Sequence, residues 1–154
     1  MKKILLIFLL FKSLTFLGQN LDSCQIETTN NKFNYRTVHT FKGLSINLEK
    51  VYNTKGKFYY IAILKTESDI VSASRGASIL LSNGELVSDS KANVSYDALG
   101  NGKMLVISSI ELGALDIPSM IKYNITDFRL GNSIDVKVED GANLRKALSC
   151  LLKK

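Results

Sequence analysis

The sequence predicts a mainly β fold: an antiparallel two-sheet sandwich, or one curved sheet, with a C-terminal helix. Three observations predict it. Short alternating or continuous apolar runs recur along the chain and are parted by turn residues. Near the middle, Asn83-Gly84 lies between the apolar runs Ile79-Leu80-Leu81 and Leu86-Val87, a hairpin signature whose dipeptide tolerates positive φ at both centres of a type I′ turn. Strong helical spacing appears only at the end, where Leu144, Ala147, Leu148 and Leu151 recur at i, i+3, i+4 and i+7. The alternative is α+β, a single antiparallel sheet with both helices on one face.

The elements follow in order. Asn30-Asn31 reads as a turn, after which Phe33, Tyr35, Thr37, His39 and Phe41 share one side of an alternating strand. Gly43 breaks it, and Leu44, Ile46 and Leu48 alternate in a second strand. Asn53-Thr54-Lys55-Gly56 turns the chain into residues 58–64, apolar throughout, which predicts a central strand covered on both faces. Short connections make these three an antiparallel meander. Residues 67–75 read as the longest loop, leading to the central hairpin. Val94-Ser95-Tyr96 is a weak strand, Gly100-Asn101-Gly102 a tight turn, and residues 103–110 a strong strand. Ser109 is placed to cap a short helix holding Leu112 and Leu115, ended by Pro118. Ile121, Tyr123 and Ile125 alternate, as do Ile134, Val136 and Val138, with Gly131-Asn132 between them as a further hairpin turn. Asp140 caps the last helix, and Lys153-Lys154 suits its C-terminal end.

The N-terminus carries its own message. Lys2-Lys3 precedes an unbroken apolar run over residues 4–11, too short to span a bilayer and shaped like a secretory signal over residues 1–18. That leaves 19–154 as one β-rich domain, exported to the periplasm or secreted. Without Lys2, Lys3 and Lys12, 17 basic residues face 14 acidic ones, and the net charge falls from +6 to +3. This is an ordinary solubility charge and gives no reason to expect nucleic acid. Cys24 and Cys150 are the two cysteines, an even pair in an exported chain, and are expected to form a disulfide. Leu21-Asp22-Ser23-Cys24 offers the alternative of a lipoprotein anchored at Cys24. No transmembrane segment is expected once the signal is removed.

Residues 76–84, 125–130 and Ser149-Cys150-Leu151 carry a resemblance. The order of glycine, strand, Asn-Gly hairpin, strand, short helix, Ile-x-x-Phe-Arg-Leu strand and terminal helix ending in Cys-Leu resembles the uncharacterised small exported proteins of Bacteroidetes-type bacteria. The resemblance covers about the last half of the chain and its motifs are structural. It implies export and brings no activity, cofactor or functional residue.

Chemistry is sparse along the chain. His39 is the one histidine, and no Gly-x-Ser-x-Gly element accompanies it, so a packed or rim histidine is the simpler reading. One histidine and two bonded cysteines do not build a zinc site, and Asp135, Glu139 and Asp140 lack the spacing of a calcium loop. Gly100-Asn101-Gly102 opens no helix and so is no phosphate cradle. Asn93-Val94-Ser95 and Asn124-Ile125-Thr126 match the glycosylation pattern, but the leader looks bacterial. Aromatic residues concentrate in the first half, and Tyr35, Tyr59 and Tyr60 form a candidate recognition surface. These observations predict no cofactor, no metal and no enzyme. They favour a non-catalytic exported or envelope-associated binding or structural module, its partner another envelope protein or a surface polymer. Two alternatives are a small carrier of an apolar ligand between the sheets, and a hydrolase using the loop carboxylates Glu67 and Asp69.

Overall fold

Two antiparallel sheets face each other and the C-terminal helix completes the second layer. The structure, a computed structural model, describes residues 25–31, 36–71 and 74–154. Its elements are β1 (Glu27–Asn31), β2 (Arg36–Lys42), β3 (Ile46–Tyr52), β4 (Phe58–Ser68), β5 (Ala77–Leu81), β6 (Leu86–Asp89), β7 (Val94–Ala98), β8 (Met104–Leu112), α1 (Asp116–Lys122), β9 (Ile125–Leu130), β10 (Ile134–Lys137) and α2 (Gly141–Leu151). One sheet has the order β1-β2-β3-β4-β8-β7, the other β10-β9-β5-β6, and both are open. The signal peptide of residues 1–18 lies outside the described residues. So does Cys24, the expected partner of Cys150; Cys150 itself is half-buried on α2 and is not a free thiol.

Alternation decides which side of each strand is buried. On β3, Ile46 and Leu48 face inward; on β4, Tyr60, Ala62 and Leu64; on β8, Val106, Ile110 and Leu112. They meet Ile79, Leu81, Phe128 and Leu130 of the second sheet and Leu144, Ala147, Leu148 and Leu151 of α2 in one apolar cluster. At about 25 cal/mol per Å² of apolar surface, this interface is the main stabilising term of the fold. Helix α2 packs on β2, β3 and β9, so it backs the part of the large sheet that the four-stranded sheet leaves uncovered.

The predicted hairpins are present, but their turns differ from the expectation. Leu81 N–H donates to the Glu85 carbonyl at 2.9 Å, Gly84 N–H to the Leu81 carbonyl at 2.9 Å, and Gly84 has φ +85°. The loop is therefore the three residues Ser82, Asn83 and Gly84, with only Gly84 needing the left-handed region. Asn53–Lys57 closes in the same pattern around Gly56. The three-residue loop places its glycine last, and an Asn-Gly pair fits it as well as it fits a two-residue turn.

Other boundaries also move. Strand β4 continues through Glu67 and Ser68, paired to Leu105 and Met104, so the long loop begins at Asp69. Its central run is buried on one face alone: Tyr59, Ile61 and Ile63 are half-buried on the outer face, not enclosed as their apolar character predicted. Asn30 and Asn31 belong to β1, which pairs along β2. Ser109 and Leu112 lie in β8 rather than in a helix. Pro118 sits in the first turn of α1 instead of ending it, a position where its missing N–H has no helical partner to lose. Ile121 is in that helix and not in a strand. Asp140 occupies the N-cap of α2, but its side chain makes no cap bond; Oδ2 accepts the Leu44 N–H at 3.0 Å, across 96 residues. Gly141 opens α2 against the Ile125 backbone carbonyl, and a Cβ there would collide with it.

Candidate functional site

The inward alternation of β3 carries one anomaly. After Ile46 and Leu48 the next inward residue is Lys50, only 4% exposed. Register fixes its neighbours: His39 stands opposite on β2 and Tyr60 opposite on β4, while Tyr52 and Phe58 form the next row toward the β3–β4 turn. The Lys50 ammonium lies 4.4 Å from the Phe58 ring centre, 5.2 Å from Tyr52 and 5.6 Å from Tyr60. The rings brace one another at centroid separations of 5.7–5.8 Å: His39 edge-on to Tyr52, Tyr52 tilted against Phe58, Phe58 edge-on to Tyr60. A buried ammonium must recover the lost hydration from its surroundings, and here it does so from ring faces and from the Tyr52 and Tyr60 hydroxyls.

Charge states follow from the same contacts. Burial alone would lower the Lys50 pKa; the Tyr52 and Tyr60 hydroxyls outweigh it and hold the ammonium above its ordinary value, so Lys50 is charged at neutral pH. His39 is pushed below its ordinary value, first by burial and then by the charges of Lys154 and Lys50. Its Nδ1 lies 2.8 Å from the Thr28 hydroxyl, which ties the ring to β1.

This end of the sandwich is also basic. From the His39–Lys50–Tyr60 row outward, β2, β3, β4 and the β3–β4 turn carry Arg36, Lys50, Lys55 and Lys57 but no Asp or Glu. The Tyr52 hydroxyl donates to the main-chain oxygen of Lys154 at 3.3 Å, which brings the end of α2, with exposed Lys153 and Lys154, to the same place. Phe58, at the same end, is 52% exposed. The ion pairs among the described residues, Lys42–Glu27, Lys103–Glu67 and Arg129–Asp135, lie elsewhere.

The sequence-level candidates are distributed differently. Tyr60 belongs to this cluster. Tyr59 is the adjacent residue of β4 and faces the opposite side of the sheet, and Tyr35 lies outside the described residues. His39 does not meet the loop carboxylates: it is level with Tyr60, and Glu67 lies seven residues further along β4, about 23 Å away. Glu67 is exposed and pairs with Lys103 at 3.6 Å, and Asp69 follows the end of the strand. Among the described residues no group of three His, Cys, Asp or Glu is placed to hold a metal ion. None of their helices is long and apolar enough to cross a membrane. Sequence reading missed Lys50 because the second strand was followed only as far as Leu48. The available signal was a lysine on the apolar parity between Leu48 and Tyr52.

Comparison with protein-family models, with curated proteins and with solved structures finds no match for this chain.

Proposed function

We propose that the protein is a non-catalytic, exported, envelope-associated binding module that recognises its partner with the basic aromatic end of the sandwich. One observation carries the reading: Arg36, Lys55, Lys57, Lys153 and Lys154 lie at the same end of the sandwich as the exposed Phe58 ring, with no Asp or Glu on the neighbouring parts of β2, β3 and β4. Like charges held together reduce stability, so their persistence beside an open ring suits a surface that meets an opposite charge. The interior supports binding at the surface over carriage between the sheets, since Ile46, Ala62, Leu64, Ile79, Val106 and Leu130 fill the space between the layers at 0% exposure. Export rests on the Lys2-Lys3 leader pattern, and a Cys24–Cys150 disulfide would suit the oxidising compartment it leads to.

The test is to isolate the mature protein from its native envelope, identify what accompanies it, and map by hydroxyl-radical footprinting which residues the partner protects. Protection at Tyr52, Phe58 and Lys57 is expected. Protection confined to other surfaces, or recovery of a cytoplasmic protein with Met1 intact, overturns the proposal.

A further inference from the structure

We infer that the ligand of this end is an acidic polysaccharide, a sugar chain bearing carboxylate or sulfate groups, laid across Phe58 between the lysines of the β3–β4 turn and those at the end of α2. The inference rests on the binding-module reading and names its ligand. Three observations lead to it. Lys55 and Lys57 in the turn and Lys153 and Lys154 after α2 are all exposed and belong to elements that meet at Tyr52. A ligand crossing the ring therefore meets cations contributed by two separate elements, which matches a polymer with repeated negative charge better than a single anion.

The ring geometry narrows the chemistry. Neighbouring rings stand at 88°, 53° and 76° to one another, so no two adjacent rings offer parallel faces. Successive stacking of nucleobases needs a series of open ring faces, whereas the apolar C–H face of one sugar needs a single ring. Phe58, half exposed, supplies that one ring. Lys50 narrows it further. With an ammonium already 4.4 Å from the Phe58 ring centre, the electron-rich faces of the cluster are engaged by the protein's own cation. A cationic ligand such as a quaternary ammonium would meet an occupied cage and the repulsion of Lys50, while an anion is favoured by the same charge. Lys50 is itself buried, so it acts as a positioning residue: it sets the rings and adds to the positive field without touching the sugar.

The experiment titrates the mature protein with polygalacturonate, neutral dextran, a single-stranded oligo-dT and phosphatidylglycerol vesicles, reading affinity by calorimetry at two salt concentrations. Polygalacturonate is expected to bind, more weakly at high salt, and dextran not to bind. Phe58→Ala and the exposed-turn double variant Lys55→Glu/Lys57→Glu should each weaken binding by about tenfold or more, a change of about 1.4 kcal/mol. The double variant should keep the thermal midpoint of the parent, which separates binding from folding, whereas Phe58→Ala also loses the Lys50 contact and is assayed well below its own lowered midpoint. Binding of oligo-dT or of vesicles as tight as that of polygalacturonate, or no loss in either variant, overturns the inference. If polygalacturonate fails while a native partner still protects Phe58, the ligand class is wrong and the binding module stands. If the native footprint lies elsewhere, both fall.

Discussion

Replacing Lys50 separates what its charge contributes from what its stem contributes. The ammonium makes one close ring contact, 4.4 Å to Phe58, and two longer ones at 5.2 and 5.6 Å. A desolvated cation–π contact stabilises by about 2 kcal/mol, and the longer pair add about 0.5 kcal/mol each, so about 3 kcal/mol is lost in Lys50→Met. The same change removes the cost of holding an ammonium out of water, several kcal/mol after relaxation. The stem volume is kept. The two contributions nearly cancel, and Lys50→Met is expected within about 1 kcal/mol of the parent. Lys50→Ala also deletes about three buried methylenes, at about 0.8 kcal/mol each, and leaves a cavity; it should cost about 2–4 kcal/mol. Urea unfolding at a common slope reads both as shifts of the midpoint. Equal costs for Lys50→Met and Lys50→Ala would refute this balance, since the charge and its bonds to the Tyr52 and Tyr60 hydroxyls would then outweigh the cost of burial.

Gly141→Ala places a Cβ against the Ile125 carbonyl, a backbone atom that cannot step aside, and should destabilise by about 3 kcal/mol or more in the same assay. An effect below about 1 kcal/mol would show that α2 is free to shift. His39 binds its proton less readily folded than unfolded, because burial and then Lys154 and Lys50 lower its pKa below 6.5. Its contribution to stability is therefore complete above pH 6.5 and is lost on acidification below that value, until the folded pKa is passed. Thermal midpoints should fall more between pH 7 and pH 5 for the parent than for His39→Gln, and equal slopes would contradict this. If Cys24 and Cys150 are bonded as proposed, the intact mass of the oxidised protein is two hydrogen atoms below the reduced mass, and reduction lowers stability by about 5 kcal/mol on the chain-entropy account. A single alkylatable thiol at Cys150 with added lipid mass on Cys24 would speak for the lipoprotein alternative, and two alkylatable thiols would refute both readings.

How far the sequence revealed the fold depended on how each signal is encoded. Strands with one buried side announce themselves by alternation, so β3, β8 and β10 fall within a few residues of their predicted places, while β9 begins only at Ile125, the last residue of the alternating set Ile121, Tyr123 and Ile125. The stripe of Leu144, Ala147, Leu148 and Leu151 was read directly, and all four are buried. Turn chemistry was less specific: Asn83-Gly84 marks a hairpin, but the loop length is fixed by the pairing of Leu81 with Glu85, which only the folded chain displays. Pro118 was read as a stop because its position relative to the helix start was unknown, and in a first turn it is permitted. The candidate site was less legible still. Tyr59 and Tyr60 look equivalent in sequence, yet adjacent strand residues face opposite ways, so one surface never held both. The cluster itself joins β2, β3, β4 and the end of α2, and the contact between Tyr52 and Lys154 spans 102 residues. No local pattern encodes such a meeting.

The place of α2 has a consequence for when the chain can fold. The inward face of β2 and β3 is covered by the last helix of the chain, and Asp140 at its start reaches back to Leu44. Until those final residues have been synthesised, that part of the large sheet has no second layer, and a growing chain lacks a closed core to collapse around. Closure of that part of the core is therefore deferred to the completed polypeptide by topology alone. A chain stopped after residue 140 should accordingly bind a hydrophobic dye and resist compaction at any concentration, however well its strands are preserved.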